Sequence, residues 1–125
     1  MGYQHIEVDS IDETPDRPST QRSISGAADL ANVAFNRYEV DPGEQVPFVY
    51  HVHDEQEELF YVLDGTLAVE TPEGEYTVES DEVFVAEPDS PHRAYNPADA
   101  DEPVCLLAVG APVVDDAHAY DPDDA

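Results

Sequence analysis

Between residues 32 and 110 the chain alternates short apolar runs with turn signals, and no stretch keeps an extended helical period. The runs are NVAFNRYEV (32–40), QVPFVYHVH (45–53), ELFYVL (58–63), TLAVET (66–71), EYTVES (75–80), EVFVAE (82–87), HRAYN (92–96) and PVCLLAVG (103–110). Many short strands at this spacing predict an all-β sandwich or barrel. Asp41-Pro42-Gly43 closes the first run: proline fixes one φ, and glycine accepts the positive φ of a type II turn. Asp64-Gly65 carries a hairpin signal, and Thr71-Pro72-Glu73-Gly74 marks a further turn.

The flanks lack this pattern. Residues 9–31 are rich in Pro, Ser and Asp and read as a long arm with one short helical turn, while DDAHAYDPDDA (115–125) reads as a frayed acidic tail. The expected organisation is an arm (1–31), a barrel (32–113) and a C-terminal tail (114–125). Two runs, 58–63 and 104–109, are apolar on both alternating faces apart from Glu58. A strand with one wet face should alternate. A second covering layer is therefore expected, and a partner subunit supplies it in the simplest case, a homodimer.

Composition narrows the function classes. The chain has 125 residues, 30 acids, four arginines (Arg17, Arg22, Arg37, Arg93) and no lysine, for a formal charge of −26. The acids are interleaved with apolar residues along the whole chain, as in a folded acidic protein and unlike a disordered acidic block. Self-repulsion on this scale strains a compact fold at low salt. At about 1 M salt the Debye length falls to roughly 3 Å and the strain fades, so the composition resembles that of extreme halophiles. The charge argues against nucleic acid, which needs clustered cations. No long apolar stretch suggests a membrane span, and MGYQHIEVDS has no signal-peptide character, so a cytoplasmic location is expected. Cys105 is alone, within VCLLAVG, and reads as a small core residue.

The candidate chemistry sits in HVHDEQEELFYVLDG (51–65). On a strand, His51 and His53 share one face, with Val52 opposite. Two imidazoles on one face can meet a single ion while their backbone stays regular, and further ligands must then come from neighbouring strands. Glu58 opens the next strand in phase with Phe60 and Val62; His92 opens a later one after Pro88-Asp89-Ser90-Pro91. The alternative is that these are unrelated surface histidines and a solvated acid.

At these residues the chain resembles the cupin superfamily, whose two motifs are G-x5-H-x-H-x(3,4)-E-x6-G and G-x5-P-x-G-x2-H-x3-N. His51-Val52-His53, four residues, Glu58, six residues and Gly65 match the first; His92, three residues and Asn96 match the end of the second. The resemblance covers roughly 38–110. It implies a small antiparallel jelly-roll β-barrel with metal ligands His51, His53, Glu58 and His92 inside. Gly43 stands seven residues ahead of His51 instead of five, and Asp81, Glu87 and Asp89 replace the second motif's glycine, proline and glycine. Asp tolerates turn conformations better than most residues.

Three imidazoles and a carboxylate suit a borderline divalent ion: Fe, Mn, Ni or Zn. Octahedral binding leaves two positions for water, substrate or dioxygen. Asp54, Glu55 and Glu57 read as a solvated turn, although Glu57 also satisfies the family's shorter spacing. His5 and His118 read as bystanders. Strand phase adds Phe60, Val62 and Asn96 as pocket candidates beside the ligands and turns Tyr50, Arg93 and Tyr95 away from it. Arg37 reads as a surface ion-pair partner. With so few cations a phosphosugar substrate is disfavoured. A neutral or singly anionic small molecule, chelating the metal through oxygen, fits better. The expected function is a metal-dependent enzyme of dioxygenase or isomerase type, with a non-catalytic binding module as the alternative.

Overall fold

The computed structural model describes residues 2–124. Ten antiparallel strands form two facing layers. They are β1 (Thr20–Ser23), β2 (Ala34–Val40), β3 (His51–His53), β4 (Glu57–Asp64), β5 (Leu67–Thr71), β6 (Gly74–Val78), β7 (Val83–Ala86), β8 (Arg93–Tyr95), β9 (Val104–Ala111) and β10 (Ala117–Ala119). One layer has the order β1-β2-β9-β4-β7. The other begins β6-β5-β8 and continues through the bridge His51↔His92, with Gln45↔Tyr95 pairing further along the same run, to β3 and then β10. This is the all-β jelly roll expected from the strand pattern.

The core lies between the layers. Tyr38, Val40, Phe60, Val62 and Leu106 come from the first, and Leu67, Val69, Val78 and Ala94 from the second. Strand β9 shows how alternation builds it: Val104, Leu106, Ala108 and Gly110 are buried, while the residues between them are half-buried. On β4, Phe60 and Val62 turn inward while Tyr61 and Leu63 stay exposed. The apolar outer face inferred from the sequence thus faces outward in the single chain.

Three expectations change in detail. The run 45–53 is a regular strand only over its last three residues. Pro47 offers no N–H to a ladder, and the Gln45 amide satisfies the Pro47 and Phe48 carbonyls itself, at 2.8 and 2.9 Å. The N-terminal arm does contain a short helix, α1 (Ile24–Ala28), capped where Ser23 Oγ accepts from Gly26 N–H at 3.1 Å. It also contributes β1, which pairs with β2. At the other end the acidic tail is not frayed over 117–119, because β10 pairs with β3. Strands therefore extend beyond 32–113 on both sides.

Turn chemistry behaves as the sequence suggests. Gly43 has φ +88°, and Glu44 N–H donates to Asp41 C=O at 2.9 Å. Asp81 and Asp89, which stand where the motif has glycine, adopt left-handed φ values of 67° and 64°. Gly65 is more constrained, with φ +85°; a Cβ there would lie 2.5 Å from the Pro103 carbonyl oxygen and 3.1 Å from Val104 Cα. Both neighbours are backbone atoms in the approach to β9, which cannot swing aside as a side chain can. Gly65→Ala is therefore expected to lower the unfolding free energy by about 2–4 kcal/mol. Denaturant titration with an unchanged m-value would register it, and a loss below about 0.5 kcal/mol would refute the steric account.

Candidate metal centre

Two backbone hydrogen bonds set the site. His51 N–H donates to His92 C=O at 3.2 Å, and His92 N–H donates to His51 C=O at 2.9 Å. Residues opposed in this way project side chains to the same face, and the two imidazole centroids lie 4.6 Å apart. His53, two residues along, shares that face, with its ring 4.8 Å from that of His51. Glu58 approaches from the opposite layer, where β4 runs between β7 and β9.

The donor atoms converge. Glu58 Oε1 stands 2.6 Å from His92 Nε2 and 3.5 Å from His51 Nε2, while Oε2 stands 3.9 Å from His53 Nε2. His51, Glu58 and His92 form a group whose ligand atoms all lie within 4.8 Å of one another. His53 lies at its margin, its ring 6.4 Å from that of His92.

Each imidazole is oriented by its other nitrogen. Nδ1 of His51 faces Val49 C=O at 3.2 Å, Nδ1 of His92 faces Ser90 C=O at 2.8 Å, and Nδ1 of His53 faces Asp116 Oδ1 at 2.8 Å. A carbonyl or carboxylate only accepts, so each Nδ1 carries the proton and each Nε2 is left as the inward nitrogen. His53 Nε2 is buried with no hydrogen-bond partner. An unpaired acceptor of this kind, beside a carboxylate and two further inward imidazoles, is what a divalent cation would satisfy. The donor set suits Fe, Mn, Ni or Zn.

Charge follows the same geometry. Burial pushes the Glu58 carboxyl up, but hydrogen bonds and the positive field of His51 and His92 outweigh it and hold the group at about 2. Burial lowers His92, yet its bond to Glu58 prevails and raises it above 6.5. In the metal-free chain the pair stabilises the fold most between 4.5 and 6.5. Glu58's share is lost as pH falls from 4.5 toward about 2, and His92's as pH rises through its raised value.

Asp116 is the functional residue that sequence reading passed over. Besides orienting His53 it accepts from Glu55 N–H at 2.7 Å and Gln56 N–H at 2.9 Å. Burial tends to raise its carboxyl, and these bonds hold it at about 2. Nothing in its spacing distinguishes it among 30 acids.

Of the pocket candidates, Phe60 lines a 320 Å³ cavity whose wall also includes His51, His53 and Glu58. Val62 and Asn96 are not brought there. Val62 is sealed in the core, and the Asn96 amide donates to Val40 and Glu102 carbonyls at 3.0 and 2.8 Å. A larger cavity of 610 Å³, beside Tyr76 and Phe84, reaches His92 but none of the other three residues. Glu57 is exposed, His118 contacts Asp54 at 2.6 Å outside the cluster, and Arg37 pairs with Asp9 at 3.1 Å.

A family model described as a cupin domain matches residues 36–110. The chain belongs to the cupin family. Among solved structures, this cupin is similar to a sugar phosphate isomerase from a cupin superfamily of Silicibacter pomeroyi, with TM-score 0.80 and 23% identity over 94% of this chain and 82% of that one. It is also similar to a polyketide cyclase from Streptomyces resistomycificus, with TM-score 0.76 and 18% identity over 96% and 87%. The Lactobacillus farciminis oxalate decarboxylase matches with TM-score 0.69 and 18% identity, over 90% of this cupin but 34% of that longer chain. At these identities the likeness establishes the fold. No curated protein matches the chain. Among the described residues no helix of this cupin is long and apolar enough to cross a membrane.

The site makes a combined prediction. A metal must displace the proton that His92 shares with Glu58, so apparent Zn(II) or Co(II) affinity should rise with pH up to the raised His92 pKa, by up to about tenfold per unit. Asp116→Ala should weaken affinity by about 10- to 100-fold at every pH, because His53 loses its orienting partner. Competition titration against a chromophoric chelator measures both. A pH-independent affinity, or an Asp116→Ala variant that binds like the parent, would contradict the corresponding half.

Proposed function

We propose that this cupin is a metal-dependent enzyme, of dioxygenase or isomerase type, acting on a small organic molecule that chelates the metal through oxygen. The observation that carries this reading is the opening of His51, His53 and Glu58 onto a 320 Å³ cavity instead of into sealed core. His51, Glu58, His92 and the orphaned His53 Nε2 would hold the ion. A bound divalent ion supplies Lewis-acid polarisation of a substrate oxygen or, as iron, redox chemistry with dioxygen. The chain's own part is to orient four donors and to line the approach with the apolar side chains of Val46, Phe48 and Phe60.

Two features support metal-centred chemistry on a small substrate. The residues lining the cavity include no Ser, Thr, Cys or Lys that an adjacent base could activate as a nucleophile. One arginine, Arg17, lines it as well, which suits a neutral or singly charged molecule better than a phosphate dianion. The charge of −26 fits work in a salt-rich cytoplasm.

Purification without chelators followed by elemental analysis tests the reading. Roughly one equivalent of divalent metal per chain is expected, falling sharply in Glu58→Ala and His51→Ala. Iron would direct oxygen-uptake assays; zinc or manganese would direct isomerase and lyase screens. A wild-type chain that retains no metal refutes the metal centre. Metal retention with no turnover across the screens would make the protein a binding module.

The reading includes a homodimer. On the outer face of the five-stranded layer, Leu59 opposes Val109 and Val85, and Tyr61 opposes Leu107 and Val83. These six neighbours include no charged residue, and Val83 and Val85 are 54% and 51% exposed. In so acidic a chain an uncharged apolar patch marks a surface that is covered in use. Light scattering should give twice the chain mass, and Val85→Asp should halve it without changing the circular dichroism. A monomeric wild type would refute the dimer.

A further inference from the structure

Arg17 is set apart from the other arginines. Arg22 pairs with Glu13, Arg37 with Asp9 and Arg93 with Glu70. Among the described residues Arg17 has no carboxylate partner, in a chain with 30 acids. It lines the cavity that His51, His53 and Glu58 share, and its Nε is buried with no hydrogen-bond partner. A partly buried guanidinium without a counter-charge is costly, and one left so amid surplus acid points to an anion brought from outside.

Its surroundings fix it in place. Nη2 donates to Val46 C=O at 2.9 Å and to the Tyr38 hydroxyl at 3.3 Å, and the guanidinium carbon stands 4.4 Å from the Phe48 ring centroid. The Tyr38 oxygen also accepts from Gln21 Nε2 at 2.6 Å. A phenol oxygen has two acceptor positions and one proton to give. Arg17 and Gln21 fill the acceptor positions, so the Tyr38 O–H is left to donate. Tyr38 lines the same cavity. Both Nη2 hydrogens are taken by Val46 C=O and the Tyr38 oxygen. The donors open to a ligand are therefore the Nε and Nη1 N–H groups of the same guanidinium and the phenolic O–H, which together match the two oxygens of one carboxylate.

We infer that Arg17 and the Tyr38 hydroxyl clasp a carboxylate, and that the molecule this cupin takes is a small monocarboxylate with an apolar body. Val46, Pro47, Phe48 and Phe60 supply the wall along which that body lies. The carboxylate's place before His51 and Glu58 rests on the proposed function; the clasp itself does not.

The test uses the metal-free full-length protein and isothermal titration calorimetry. Acetate, butanoate, benzoate and 3-phenylpropanoate are each compared with their primary amide. At least one acid should saturate and bind about tenfold or more tightly than its amide, as charge-assisted bonds require. Arg17→Gln should abolish that preference, Arg17→Lys should retain part of it, and Tyr38→Phe should reduce it severalfold. Equal binding of acid and amide, no saturable binding by any acid, or an undiminished preference in a folded Arg17→Gln would each overturn the clasp. If Arg17→Gln fails to fold, the wild-type comparison of acid with amide decides alone. A parallel Co(II) titration separates the two ideas: loss of metal binding sinks the metal centre and leaves the acid preference standing, while loss of the preference leaves the metal centre intact.

Discussion

The exchange of two backbone hydrogen bonds between His51 and His92 is the constraint on which the rest depends. It joins β3 and β10 to the β6-β5-β8 ladder and so completes the second layer. The same exchange sets two imidazoles side by side on the inner face. Structure and site share one covalent origin here, because the residues that make the seam also carry the ligands. A backbone seam is a stiff support: each partner's N–H and C=O are both used, and rotation of either residue would forfeit two bonds. His53 and Glu58 then need only strand phase and a short turn to reach the cluster.

Legibility in the sequence followed sequence distance. The H-x-H pair, Glu58, Gly65 and His92 carry spacings that only a few strand geometries satisfy, and the structure gathers His51, Glu58 and His92 into one group. The exchange of glycine for Asp at 81 and 89 was readable too, since both residues take the left-handed backbone that a motif glycine would supply. Arg17 and Asp116 were not readable. Arg17 lies in a segment whose one strand is four residues long, and Asp116 borders a strand of three. Strands so short leave no periodicity, and a contact across 63 residues leaves no local trace. Val62 shows the opposite failure: its face was right, but phase along a strand does not say how deep in the barrel a residue sits.

The chain's acidity is handled by location. Its acids crowd turns and edges, four of them at positive φ, while the core between the layers is apolar. Glu58 is one exception: an inward acid whose environment keeps it ionised through two imidazole contacts. Arg17 is the converse, a cation that among the described residues pairs with no carboxylate. Glu58 and Arg17, opposite in charge, line the same cavity.

The docking of β10 on β3 has a practical side. Ala117 and Ala119 pair with His53 and His51, and Tyr120 N–H reaches Tyr50 C=O at 2.8 Å, so the C-terminal segment runs directly beside the ligand strand. Anything fused after it begins within a few residues of the imidazoles. A polyhistidine purification handle placed there would bring a surplus of competing nitrogens close to the ligand strand.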